Sequence, residues 1–286
     1  MTSPLADPRI TPARPDLAAA HLAGRVQARR FAAGELKRVV APIAPLRRSP
    51  APDAAQETEA LYGETVVVYE DKDGWAWGQL ERDSYVGFIA AEALGAPAPA
   101  THRIDALRSH AFPGPSIKLA PVLALPFEAR VAVSAQVGEF SVTPDGLHFW
   151  ARHLTPLGQS ESDFVAVAER FIGVPYLWGG RTPQGVDCSG LVQTALGAAA
   201  LRAPRDSDQQ EKAIGAPIAI DASLGHLRRG DLIFWKGHVG IMRDSAQLLH
   251  ASGWHMSVVS ERLSEARDRI NEKAHGPITS IGRLDL

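Results

Sequence analysis

The stretch Gly180-Arg-Thr-Pro-Gln-Gly-Val-Asp-Cys-Ser-Gly-Leu-Val-Gln193 holds the chain's single cysteine, Cys188. Its glycines and proline mark a loop, and Leu191, Val192, Ala195 and Leu196 then recur at helical spacing, which predicts a helix starting near Cys188. A helix N-terminus presents unpaired N–H groups and a partial positive charge. Both favour thiolate over thiol and are expected to lower the cysteine pKa. A nucleophile also needs a base, and the base needs an orienting group. Downstream, Asp231-Leu-Ile-Phe-Trp235, Val239-Gly-Ile-Met242 and Gln247-Leu-Leu-His250 read as consecutive strands. His238 opens the second and His250 lies on the third, so a turn between strands can set the two rings side by side. Spacing alone leaves Cys188 two fates, a small buried hydrophobe or a nucleophile.

Upstream of the cysteine, Ser160 or Ser162 can cap a helix whose apolar face is Phe164, Val165, Ala168, Phe171 and Ile172. Helices followed by an antiparallel sheet make an α+β domain, expected over residues 156–286. Before it the texture differs. Fourteen of the 21 prolines precede residue 127, which favours short strands and turns over long helices. Glu64-Thr-Val-Val-Val-Tyr-Glu70, Trp75-Ala-Trp-Gly-Gln-Leu80 and Ser84-Tyr-Val-Gly-Phe-Ile89 read as strands of a small barrel over 35–95. After the linker Ala96-Pro-Ala-Pro-Ala100, the strands Ala120–Leu125, Ala129–Val133 and Phe140–Val142 suggest a second barrel over 98–155. Trp75, Trp77 and Trp178 read as core. Residues 1–34 read as a helical segment, with Asp16 as the N-cap of a helix running to about Arg30.

Composition narrows the function classes. The chain has 286 residues, with 30 Lys plus Arg against 32 Asp plus Glu, a formal net charge of −2. That balance disfavours a nucleic-acid or anionic-membrane surface, both of which need a basic excess. No apolar run of ~18 residues is present, so no transmembrane helix is expected. One cysteine rules out an intrachain disulfide and a cysteine zinc cage, and no metal or cofactor is expected. The first residues lack the apolar stretch of a secretory signal, so a cytoplasmic location is expected.

Four motifs then resemble one family in order. Gly180–Gln193, Pro204-Arg-Asp-Ser-Asp-Gln-Gln210, Gly230-Asp-Leu-Ile-Phe-Trp235 and Gly237-His-Val-Gly-Ile241 look like the NlpC/P60 cysteine peptidases. The resemblance implies a papain-like α+β core that cleaves cell-wall stem peptides. It makes Cys188 the nucleophile, His238 the general base and His250 the residue orienting that base. The paired barrels resemble bacterial SH3 domains. The whole arrangement looks like the γ-D-glutamyl-L-diamino acid endopeptidases, which cut after the D-Glu of L-Ala-γ-D-Glu-diaminopimelate and require a free N-terminal amine. The expected fold is thus multidomain, two all-β SH3-like barrels before a papain-like NlpC/P60 domain, and the expected partner is a peptidoglycan-derived peptide. By the same resemblance Asp187 and Ser189 hold the substrate amine, Tyr176 contacts substrate, and Glu64 and Tyr85 are further amine-binding positions. Where the family often has Asp-Gly-Tyr, this chain has Asp83-Ser-Tyr85. The other readings of the same residues are a secreted enzyme acting on intact wall, amidase or acyl-transfer chemistry on the same thiol, and a non-catalytic binder.

Overall fold

The computed structural model describes residues 7–221 and 224–284. The chain forms two compact units, Met1–Gln159 and Ser160–Leu286.

The first unit is built of strands. A seven-stranded sheet runs in the order Gln56–Leu61, Ile43–Arg47, Val86–Ala90, Trp75–Leu80, Thr65–Lys72, Glu35–Val39 and Leu94–Gly95. The alternation read in Trp75–Leu80 and its neighbours buries Leu46, Val66, Ala76, Leu80, Tyr85 and Ile89 in one core. Residues 102–156 form a second β region, a five-stranded and a three-stranded sheet around Ile104, Leu125, Val131 and Phe149.

The expected N-terminal helix does not form. Residues 1–6 of that segment lie outside the described residues. Beyond them, Leu17–Ala19 pairs in parallel with Arg30–Ala32, and only a single 3-10 turn, Ala20–Leu22, lies between. The physical reason is burial on all sides. Leu17, Ala18 and Ala19 are all fully buried, whereas a surface helix would hide only one stripe. Leu17 and Ala19 pack with Tyr69 and Trp77, and the Arg14 guanidinium lies 4.4 Å over the Trp77 ring. Asp16 caps nothing and pairs with Arg14 instead, at 2.9 Å.

The second unit places helices around an antiparallel sheet. Helix α1, Phe164–Glu169, is capped by Asp163, whose carboxylate accepts from Val165 and Ala166 N–H, and not by Ser160 or Ser162. Helix α2, Cys188–Ala198, is buried along nearly its whole length. It lies against α1 and against strands His238–Met242 and Gln247–Ser252. Helix α3 spans Ser207–Ala213. The six-stranded sheet runs Ala216–Pro217, Ile278–Arg283, Leu232–Trp235, His238–Met242, Gln247–Ser252, Ser257–Arg262. Helix α4, Leu263–Lys273, buries Leu263, Ala266 and Ile270 against Ile233, Trp235, Met242 and Leu248. Leu232–Trp235, Ser257–Arg262 and Ile278–Arg283 carry the β-branched and aromatic residues that strands prefer, and every pairing in the sheet is antiparallel.

Candidate active site

The thiol sits where the sequence spacing puts it, as the first residue of α2. A short hairpin, Arg181–Thr182 against Gly185–Val186, delivers the chain to Asp187, and Asp187 caps the helix. Its Oδ1 accepts from Gly190 N–H at 2.7 Å. Gly190 is required there, because a Cβ at that position would fall 2.2 Å from the Gly180 carbonyl oxygen. The helix start is therefore clamped to the loop before it.

Burial outweighs the expected pull of the helix terminus on the thiol. Cys188 is only 7% exposed. Its burial, with the adjacent Asp187 charge, pushes the thiol up to about 12, and the Val239 N–H, the Arg205 cation and the Ser189 N–H at the helix start only partly oppose this. Val239 follows His238 along its strand, so its N–H brings the thiol to the strand position next to His238.

His238 enters the sheet through a two-residue turn. Trp235 pairs with His238 across it, and Gly237 takes the left-handed position at φ 79°. His238 Nε2 lies 2.8 Å from His250 Nδ1, and both rings are buried. His250 Nε2 in turn lies 2.8 Å from Glu261 Oε1. Arg269 clasps both oxygens of that carboxylate, at 2.7 and 2.5 Å. Burial works to raise the Glu261 pKa, but hydrogen bonds from His250 and Arg269 overcome it and hold the carboxyl down to about 2. Burial keeps His238 well below the usual imidazole range, with His250 adding to the effect, and burial also lowers His250 against the pull of Glu261.

These contacts fix the tautomers. The Glu261 carboxylate only accepts, so His250 Nε2–H donates to it. Neutral His250 then carries its lone pair on Nδ1, and His238 Nε2–H donates there. His238 Nδ1 is left as the ring's basic nitrogen. Sequence reasoning found the two histidines and missed Glu261 and Arg269. Glu261 lies diagonally across the hairpin from His250, which pairs with Val259 while Leu248 pairs with Glu261.

The residues expected to bind the amine carry hydrogen bonds within the protein. Asp187 is 6% exposed, and Arg205 grips it at 2.9 Å on Oδ1 and 2.7 Å on Oδ2. Gly179 N–H and Ser189 Oγ donate to the same carboxylate, at 2.8 and 3.2 Å. Five donors with Gly190 occupy it, and the charge of Arg205 balances its own. Ser189 also accepts from Arg205 at 2.9 Å. Both residues hold the helix start in place. The reason is Arg205, itself 1% exposed, whose motif suggested no role. Gln210 completes the clamp, donating at 2.9 Å to the carbonyls of Ser189 and Pro204.

Tyr176 lies beside the thiol, and burial with the charges of Cys188 and Asp187 raises its phenol. Trp77 is core as expected, but Trp178 is 65% exposed. Glu64 and Tyr85 belong to the first unit. Glu64 accepts from Leu61 N–H at 2.9 Å and pairs with Arg82 at 3.4 Å. Tyr85 is a core side chain, and Ser84 before it holds φ 65°, the conformation a glycine would take without strain. Among the described residues no group of His, Cys, Asp and Glu is arranged to hold a metal ion.

Comparison with known proteins matches each unit separately. Residues 46–94 match the family described as the bacterial dipeptidyl-peptidase Sh3 domain, and residues 173–272 match the NlpC/P60 family. Dipeptidyl-peptidase 6 of Lysinibacillus sphaericus is 33% identical over 120 residues, 42% of this chain and 43% of that protein. This chain thus spans less than half the length of that relative. The gamma-D-glutamyl-L-lysine dipeptidyl-peptidase of Bacillus subtilis (strain 168) is 28% identical over 240 residues, 74% of this chain and 78% of that protein. The crystal structure of an NlpC/P60 family protein from Bacillus cereus ATCC 10987 shares the fold, with a TM-score of 0.70 at 19% identity over 87% of this chain and 99% of that one.

Proposed function

We propose that this chain, in which an NlpC/P60 domain follows a bacterial SH3 domain, is a cysteine endopeptidase that cuts the bond between γ-D-Glu and a diamino acid in cell-wall stem peptides. The observation that carries this is the buried line from the thiol's strand neighbour through His238 and His250 to Glu261. A thiol, a base with its lone pair on Nδ1, and two orienting groups are what acyl transfer needs.

In the free protein burial disfavours charge on both the thiol and the imidazole. Attack and deprotonation are therefore one event: Cys188 Sγ forms the bond to the scissile carbonyl carbon as its proton passes to His238 Nδ1. Backbone N–H groups at the start of α2 receive the developing oxyanion. His238 then gives the proton to the leaving amine as the C–N bond breaks. A water then attacks the thioester carbonyl as His238 takes its proton, and the C–S bond breaks with that proton passing back to Cys188 Sγ.

The reading extends to three finer points. The β region of residues 102–156 is read as a second SH3-like barrel, and the helix-and-sheet unit as papain-like. The substrate is read as a short released peptide with a free amine, L-Ala-γ-D-Glu-diaminopimelate, which would place the enzyme in peptide recycling in the cytoplasm. The name of the Bacillus subtilis relative, a gamma-D-glutamyl-L-lysine dipeptidyl-peptidase, supports a γ-D-glutamyl–diamino acid bond as the one cut.

Purified protein incubated with L-Ala-γ-D-Glu-diaminopimelate should release the diamino acid, and Cys188→Ala should not. N-acetylation of the peptide should slow cleavage strongly. Equal cleavage of free and acetylated peptide would sink the free-amine claim. Activity in Cys188→Ala would sink the mechanism. Fractionation of cells producing the tagged protein tests the location.

A further inference from the structure

A cavity of about 260 Å³ opens beside His238, with His238, His250 and Tyr176 in its wall. Its walls hold two exposed tryptophans, Trp178 and Trp254, at 65% and 62% exposure. Its rim holds Lys273, from the last turn of α4, and His275. The His275 ring stacks on His238 with 8° between planes, and its Nδ1–H donates to the Lys236 carbonyl at 2.9 Å. Lys273 Nζ lies 4.9 Å from the centre of the Trp254 ring. Arg269 is the other cation in the wall, and Glu261 already balances it. Among the described residues no aspartate or glutamate lines this cavity.

The chemistry assigns a side to this cavity. His238 returns a proton to the leaving nitrogen, which requires that nitrogen within hydrogen-bond reach of its ring. The residue beyond the scissile bond must then lie on the His238 side. A pocket of this size, with aromatic walls, a lysine and no carboxylate, suits an amino acid with an aliphatic stem and an anionic group.

We propose that this pocket receives the leaving diamino acid and holds one of its carboxylates against Lys273, with His275 beside it. The proposal rests on the endopeptidase reading above and adds its selectivity. The aliphatic stem of the diamino acid lies along Trp178 and Trp254. Two carboxylates could serve, the one next to the leaving nitrogen or the distal one that diaminopimelate has and lysine lacks.

Three peptides given to the full-length protein separate the sources: L-Ala-γ-D-Glu-L-Lys, its C-terminal carboxamide, and L-Ala-γ-D-Glu-meso-diaminopimelate. A fall of about tenfold in kcat/KM from acid to carboxamide identifies the near carboxylate, and a similar fall from diaminopimelate to lysine identifies the distal one. Lys273→Met, which keeps the alkyl chain beside Trp254, should bring the affected ratio towards one. Cleavage of all three peptides within twofold of one another overturns the inference while leaving the endopeptidase reading standing. An unchanged ratio in Lys273→Met overturns it as well. No cleavage of any peptide overturns the endopeptidase reading itself, and the inference with it.

Discussion

Glu261 is the residue whose removal best separates a working relay from mere packing. When His238 takes the thiol proton it becomes a cation, and the nearest carboxylate stands behind His250. The two rings are 5.0 Å apart and the next hydrogen bond is 2.8 Å. That puts the carboxylate roughly 9 Å from the new charge, an attraction of about 1.8 kcal/mol at an effective dielectric of 20. Glu261→Gln keeps an acceptor but removes this charge and leaves Arg269 without its counter-ion. A loss of about 20-fold in kcat/KM is therefore expected. The acid limb of the pH profile should also move to lower pH, because Glu261 is one of the groups raising the pKa values of both histidines. Glu261→Asp, which keeps the charge, should recover part of the rate. Thermal unfolding of each variant shows how much of the loss comes from folding. A Glu261→Gln enzyme within twofold of wild type, with its acid limb unmoved, would refute the relay.

Three further outcomes follow from the same geometry. Alkylation of Cys188 by iodoacetamide at pH 7 should be at least about 30-fold slower than for an ordinary cysteine, because raising the thiol from 9.0 to about 12 cuts the thiolate fraction about a thousandfold and the greater nucleophilicity of a more basic thiolate returns only part of that. A rate matching free cysteine contradicts this. Arg205→Met should destabilise the second unit by about 3 kcal/mol in urea unfolding, since it strands the buried Asp187 charge, and Asp187→Asn in the same chain should recover part of it. A loss below about 1 kcal/mol would remove Arg205 from the clamp. Stability should also fall on acidification. His238 and His250 have depressed pKa values in the folded state, so their contribution is complete above 6.5 and is lost as pH drops from there towards the folded values, at up to about 1.4 kcal/mol per pH unit for each. Glu261 adds a loss between 4.5 and about 2. Urea unfolding at pH 7.5 and 5.5 should show the first part, and equal stability at both would contradict it.

Cys188 and the two histidines were legible because each is tied to a local signal. The periodic Leu191, Val192, Ala195 and Leu196 locate the helix start, and Gly237 marks the turn that opens the histidine strand. Glu261 was not, because its place beside His250 depends on the register of a hairpin. That register is set by the irregular turn over Gly253–Met256, where Met256 holds φ 50°. A shift of one residue would have turned Glu261 to the other face. Arg205 was missed for a related reason, since its partner Asp187 lies on a different loop. The Ala-rich segment after Asp16 misled in the opposite way. Its helix propensity is real but small, and burial of Leu17–Ala19 against Tyr69 and Trp77 outweighs it.

The clamp around Asp187 bears on why the thiol is neutral. A helix N-terminus stabilises a thiolate only if its N–H groups and partial charge are left for the sulfur. Here the cap carboxylate takes the Gly190 N–H and sets a negative charge beside the thiol, so that the Ser189 N–H is the helix-start donor to the sulfur. Arg205 offsets that charge but is spent on Asp187 from both sides. The local field therefore comes close to cancelling, and the cost of burying a charge decides the protonation state. Such a site is inert until a carbonyl carbon is placed against the sulfur. Only then does proton transfer to His238 proceed together with bond formation, and only then does the imidazolium arise that Glu261 steadies through His250. Reactivity is thereby made conditional on a bound substrate, which protects a lone thiol from oxidants and from stray electrophiles.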